Sequence, residues 1–492
     1  MTSTLTVTLL GIVFIAVLGF LGRRKPTGDL SEWTHGGRQF GAMTMWFLQA
    51  GEVFTTFTFL GMAGLAFSGG VAALYALPYI PLAYVGLYFL APIIWRRAHK
   101  RGHLTQADFL ADFYGSKLLG FVAAVIGVVF LLPYLQLQIT GLGLAVQLAT
   151  GDQTSSTVSM IIAFVLVIAF VLWSGIRGVA TTSYFKDAIM LVVLLVLVVA
   201  IPAHFTGGIG ATFHKIMLTH PDMLHIHTGK YDTAWFFTSM VASVLGVLFM
   251  TFPHQWPALL SAKSPKAVRR NYVFLPVYSI ALALPMIIGF TALLVLPKAS
   301  KSNAALLTLV HQSFPGWFIG IVVVATAATA MVPAAGLLIG MSSLVARNIA
   351  PTRSQRSQFM VNQGAVVAVT TLALVMAIAR PDLLANLLLL TYSGLDQLIP
   401  AIGLALLTRK LIGVWPVLAG LVVGEIVVIW LTFGNAYSGH VNVGLVALVP
   451  NIVVLLAGAV MERTVRGTKH GSVPQLPASN ADAEPKSVVV GA

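Results

Sequence analysis

The sequence predicts an all-α, polytopic membrane protein, and three observations carry that prediction. Of 492 residues, 58% are hydrophobic and only 9% are charged, against roughly 25% charged in a soluble globular domain. The mean hydropathy is +0.90. Apolar runs near or above the ~18–20 residues that cross a bilayer recur along the whole chain.

Thirteen apolar windows are separated by charged or Gly/Pro-rich breaks: 3–22, 40–68, 71–95, 118–148, 155–176, 181–203, 235–257, 272–298, 317–345, 360–379, 384–407, 412–433 and 442–461. The first window has no basic residue ahead of it, and Arg23, Arg24 and Lys25 follow it. It reads as a retained span rather than a signal peptide. Basic residues then fix the orientation. "GRRKPTGDLSEWTHGGRQF", "WRRAHKRGH", "SAKSPKAVRRN", "ARNIAPTRSQRS", "TRK" and "MERTVRGTKHG" fall on one side of a thirteen-span chain. The other side holds only Lys215, Lys230, Lys298, Lys301 and Arg380. By the positive-inside rule the N-terminus is outside and the C-terminus cytoplasmic, in a bacterial inner membrane. The net charge of +14 belongs to this bias, not to nucleic-acid binding.

Without cysteine there is neither a disulfide nor a thiolate metal site. The loop 204–234 holds His204, His214, His220, His225 and His227. It reads as a solvated loop with scattered histidines, although "HIH" can chelate. The tail 467–492 is rich in small and polar residues and is expected to be disordered.

Two windows carry helix-breaking chemistry. One is 40–68, around "QAGEVFTTF"; the other is 235–257, around "GVLFMTFPHQWPALL". They lie five spans apart and so cross in opposite directions, as an inverted pair of five-helix units requires. Pro253 removes a backbone donor and Gly51 eases departure from helix. Backbone freed at a break must face protein or a cavity, where carbonyls can hold a cation and half-helix N-termini a carboxylate. The expected units are 1–39 (an extra helix and loop), 40–203 and 235–410 (the two repeats), and 411–466 (two further helices).

Several stretches resemble the sodium:solute symporter family, with its LeuT-type core. They are "SGIRGVATTSYFKD", "SAKSPKAVRRNYVFLPVYSIAL", "GMSSLVARNI" and "LLTYSGLDQLIPAIGLAL". Their order and spacing over roughly 29–409 carry the likeness. "EVFTTFTFLGMAG", "LPYLQLQITG" and "FPHQWPALLSAKSPKAVRRN" resemble the bacterial monocarboxylate-transporting branch. The resemblance implies a 5+5 inverted repeat with one extra N-terminal and two extra C-terminal helices.

The resemblance also implies a sodium site between the first and eighth core helices. Its positions here would be the carbonyls of Gly51, Phe54 and Thr329, and the side chains of Val332 and Pro333. Valine and proline offer no side-chain oxygen, and a hard cation needs oxygen ligands. The family's Thr-Asp between the fourth and fifth core helices falls on Thr182 and Ser183, so an acidic residue is missing too. Asp187 lies one turn later; it is a candidate to compensate as an ion-coupling group, or pairs at the cytoplasmic rim with Lys186 or Arg177, the reading preferred here.

With that site degraded, Glu52 becomes the expected ion-coupling group. An ionisable side chain inside the membrane is a functional candidate because holding it there is costly. The coupling ion is then H⁺ rather than Na⁺; Glu52 could instead cap the broken backbone or replace a lost sodium ligand. Expected cavity residues are Thr55, Thr58, Tyr134, Gln138, His254, Gln255, Tyr392 and Gln397. Asp396 is a second titratable candidate. Tyr134 and Gln138 share a helix face at i,i+4, which Gln136 does not. Threonine and glutamine also serve as glue between membrane helices.

No arginine or lysine is expected at mid-span. A carboxylate would be held by helix N-termini, hydroxyls, amides and protonated His254. That suits lactate, pyruvate, acetate or propionate, and disfavours dicarboxylates. Neither "HExxH" nor "GxSxG" occurs within a span, which argues against an enzyme. The reading is a secondary carrier with no cofactor, partnered by its solute and the bilayer, as a monomer or a homodimer. The alternatives are a sodium-coupled symporter of an amino acid or other organic anion, a sensor on the same fold, and a passive channel.

Overall fold

The structure, a computed structural model, describes residues 2–22, 29–151, 155–226, 229–407, 409–434 and 439–466. Arg23, Arg24, Lys25, His227 and the tail 467–492 lie outside them. Among the described residues every regular element is helical. In chain order these are α1 (Thr2–Gly22), α2 (Leu30–His35), α3 (Ala42–Val53), α4 (Met62–Gly69, preceded by a π-turn at Phe57–Gly61), α5 (Ala76–Arg101), α6 (Gln106–Tyr114) and α7 (Lys117–Ala149). Then come α8 (Ser156–Thr206), α9 (Ile209–Thr219), α10 (Thr233–Leu248), α11 (Gln255–Leu260), α12 (Pro265–Tyr278), α13 (Ala283–Val295) and α14 (Ala305–Ser313). The chain closes with α15 (Gly316–Leu344), α16 (Gln355–Ala379), α17 (Leu384–Leu395), α18 (Ile399–Ala405), α19 (Val414–Phe433) and α20 (Val443–Arg466).

Short polar residues start these helices where the chain leaves the apolar layer. Thr105, Ser116, Asp232 and Ser264 each accept a hydrogen bond from a backbone N–H in the first turn that follows. Ten stretches are long and apolar enough to cross a membrane. The stretches 57–101 and 156–206 each cover two of the predicted windows, and the shorter α10 covers a thirteenth. α8 is bent at Gly175, whose φ of 54° and ψ of −176° only glycine adopts readily.

Burial sorts the helices into a centre and a rim. Within α15 and its continuation, 94% of the most apolar 18-residue window is buried, against 17% in α1. α15 is therefore the axial helix, and α7, α8 and α3 pack around it. Two elements are broken beside it. α3 ends at Val53, Phe54 is extended at φ −87° and ψ 93°, and helix resumes as the π-turn. α10 ends at Leu248, Met250 takes φ 52°, and α11 begins at Gln255. Both breaks fall in the predicted stretches. The hinge of the first is Phe54–Thr55, not Gly51, which remains helical.

The ends of the two broken elements are tied together. The Phe40 N–H donates to the Ser261 carbonyl and the Lys263 N–H donates to the Phe40 carbonyl. The Trp95 indole donates to the Ala262 carbonyl. The start of α3 and the end of α11 are thus held at one end of the bundle.

Candidate functional site

The break in α3 leaves N–H groups that must be satisfied without water. Gln138 Oε1 accepts from the Thr56 N–H at 3.3 Å and from Thr56 Oγ1 at 2.8 Å. Thr55 Oγ1 accepts from the Phe57 N–H at 3.1 Å. These donors are therefore committed within the protein, so this half-helix start does not offer them to a carboxylate. Thr58 is buried, as are Thr55 and Gln138. None of the three lines the cavity between the breaks directly, although all three pack beside it at the first break.

That cavity is small, with about 20 Å³ of free space. Its wall includes Glu52 and Phe57 from the first broken element, Tyr79 and Tyr84 from α5, and Tyr134 from α7. Phe252, His254 and Gln255 come from the second break, and Tyr392 from α17. The rings close on one another. Tyr134 meets His254 edge-on at 5.5 Å, and Phe252 meets Tyr392 at 4.6 Å. Of the expected cavity residues, Tyr134, His254, Gln255 and Tyr392 are brought together here.

Gln397 is not among them. Its amide donates to the carbonyls of Ser393 and Gly444 and accepts from Asn451, which ties α17 to α20. Sequence reasoning missed Tyr79 and Tyr84. Their signal was an aromatic pair five residues apart on the predicted span 71–95.

Glu52 sits in the last turn of α3, 3% exposed. Its Oε2 has no hydrogen-bond partner. It lines the cavity and also a second, smaller one that reaches Gln49, Leu87 and Tyr272. Glu52, Val53, Tyr84 and Gln255 border both. Asp396 is fully buried and neither of its oxygens has a partner. It packs on α10, where a Cβ at Gly246 would fall 2.6 Å from Oδ1. A larger groove of about 950 Å³ lies elsewhere, between α3, α8 and α12. Leu195, Phe274, Val277 and Ile280 there are more than half exposed, so it opens on the lipid face.

Of the positions expected to correspond to the family's sodium site, Gly51 and Val332 lie side by side. A Cβ at Gly51 would lie 2.6 Å from Ser183 Oγ and 3.5 Å from Val332 Cγ1. Thr329 Oγ1 donates to the Thr326 carbonyl at 2.8 Å. Of the two partners expected for Asp187, Lys186 is the one it binds, but the pair is buried rather than at an exposed rim. Arg177 instead binds Glu32 at 2.6 Å and the Gly36 carbonyl. Asp187 and Lys186 are 1% and 0% exposed and pair at 2.7 Å, with Lys186 Nζ also donating to the Gly51 carbonyl at 3.2 Å. A lysine therefore lies in the protein interior beside the first break. Among the described residues no group of three or more His, Asp or Glu is placed to hold a metal.

The sodium:solute symporter family matches residues 33–424. The Bacillus subtilis symporter YhjB is 33% identical over 480 residues, covering 94% of this chain and 97% of that protein. A monocarboxylate transport permease of Rhizobium johnstonii is 29% identical, covering 83% and 84%. The osmoregulated proline transporter OpuE of Bacillus subtilis is 24% identical, covering 92% and 93%. Among solved structures, the substrate-bound outward-open Na⁺-coupled sialic acid symporter superposes with a TM-score of 0.76 at 15% identity, covering 96% and 99%. MhsT in complex with L-phenylalanine superposes at 0.54 with 12% identity, covering 85% and 98%. The broken helices, the axial α15 and these superpositions define a LeuT-type fold, a fold of secondary transporters rather than enzymes. The chain belongs to the sodium:solute symporter family.

Proposed function

We propose that this transporter carries a short monocarboxylate with a proton by alternating access, and that Glu52 loads the proton. The observation that carries the reading is a carboxyl with an unpartnered oxygen on the wall of a small, tyrosine-lined cavity. Ionised Glu52 and a carboxylate solute would repel strongly in so apolar a chamber. A proton on Glu52 removes that repulsion and turns the carboxyl into a donor. Anion and proton then enter as a pair. Tyrosine hydroxyls and the Gln255 amide on the same wall supply further donors. The greater identity to the monocarboxylate permease than to the proline transporter supports the same solute class.

The carrier lies in a bacterial inner membrane with its N-terminus outside and its C-terminus in the cytoplasm, crossing thirteen times. The repeats are 40–203 and 235–410, flanked by 1–39 and 411–466. Asp396, buried against the second break, is a second candidate for a proton.

Uptake into proteoliposomes under separate pH and Na⁺ gradients, with a panel of short carboxylates, amino acids and sugars, tests the reading. Carboxylate uptake should follow the pH gradient. Glu52→Gln should fold and lose proton-driven accumulation. Uptake that requires Na⁺ and ignores the pH gradient would refute proton coupling, and silence toward every carboxylate would refute the solute class.

A further inference from the structure

We propose that the Lys186 ammonium is a tethered cation that holds the lower half of the broken first helix closed, in the place a free coupling cation would take. α3 ends at Val53, so the Gly51 carbonyl is among those the last turn leaves without an intrahelical donor. Lys186 Nζ supplies that donor at 3.2 Å and is held by Asp187 at 2.7 Å. A charge-assisted contact of this kind is stronger than a neutral one.

The surroundings favour this cation over a free one. Val332 faces Gly51, Pro333 follows it, and neither side chain has an oxygen. Ser183 Oγ donates to the Val179 carbonyl at 2.8 Å. A sodium ion there would find few oxygens and a fixed positive charge. A buried ion pair is also weak evidence for stability, since an apolar pair of similar size serves as well or better. Its position, bridging α8 to the last turn of α3 just ahead of the Phe54–Thr55 hinge, points to control of that hinge. The proposal rests on the carrier reading but not on the proton assignment or the solute.

The chain has no cysteine, so one introduced thiol reports without background. Met45, in the lower half of α3, is fully buried. In detergent-solubilised full-length Met45→Cys protein, a water-soluble maleimide should react slowly. Adding Lys186→Met, which keeps the length and drops the charge, should speed labelling by about tenfold or more for the loss of one charge-assisted contact. Lys186→Met with Asp187→Asn should label as fast. Parental rates in either charge-removed variant would overturn the proposal, because Lys186 would then only fill space or neutralise Asp187. The unmodified carrier gives an independent measurement should the variants not fold. Its melting temperature should be the same in sodium as in choline chloride, and a specific rise in sodium would overturn the proposal. Neither readout needs a solute or a pH gradient, so both remain decisive if the monocarboxylate reading fails.

Discussion

The Glu52 carboxyl lies flat against the bare backbone of Gly336 on the axial helix α15. A Cβ at 336 would stand 3.0 Å from both Cγ and Oε1 of Glu52. Alanine favours helix over glycine by about 1 kcal/mol, so Gly336→Ala should not unfold α15. It should displace the carboxyl instead. We expect a folded protein whose proton-driven uptake falls by about tenfold, as misplacing a reacting group by a fraction of an ångström does. Melting temperature and initial uptake rate, measured together, check this. Unchanged uptake would mean that the carboxyl's position is unimportant.

Gln138 is expected to matter for stability before transport. Its Oε1 is the acceptor for the Thr56 N–H at the break. Gln138→Leu fills similar space but leaves that N–H unsatisfied, at a cost of about 1–3 kcal/mol. A thermal or denaturant melt of the solubilised variant should register the loss. A wild-type melt would show that the break finds another partner.

A pH dependence arises away from the membrane core. Burial first, and the Arg38 guanidinium second, push the His35 imidazole down to about 3. His35 is neutral when folded and takes up a proton on unfolding below its ordinary pKa of ~6.5. Stability is therefore complete above ~6.5 and declines as pH falls from there toward about 3, because the unfolded chain binds more protons. His35→Gln should flatten the part of the acid slope that this group contributes. Melting curves from neutral to mildly acidic pH check it; an unchanged slope would assign the acid sensitivity elsewhere.

Much of this was legible in sequence. Apolar runs and alternating basic loops mark helices because lipid admits few other backbones. Pro253 and the Thr-rich run after Glu52 mark the breaks because they disturb a helix locally. The cavity was less legible. Tyr134 and Gln138 share a face as expected, yet one meets the chamber and the other caps backbone, a division that i,i+4 spacing does not encode. Lys186 looked like a rim residue because it lies only nine positions beyond Arg177 in sequence. The bend at Gly175 and the rise of α8 carry it into the core, and no local pattern encodes that depth.

Arg177 provides the last test. Its guanidinium grips Glu32 at 2.6 Å and the Gly36 carbonyl, joining α8 to the segment that leads into α3. The side chains are 22% and 30% exposed, so screening limits the pair to about 1 kcal/mol or less. That is still about a fivefold shift between two conformations of an alternating-access cycle. If this grip stabilises the state closed at that end, Arg177→Gln should release it with little loss of melting temperature. Counterflow, which needs only reorientation of the loaded carrier, should persist. Net accumulation should fall by a few fold, because the closed state no longer holds as firmly against leak. Equal losses of counterflow and accumulation would instead mean that Arg177 supports the fold as a whole.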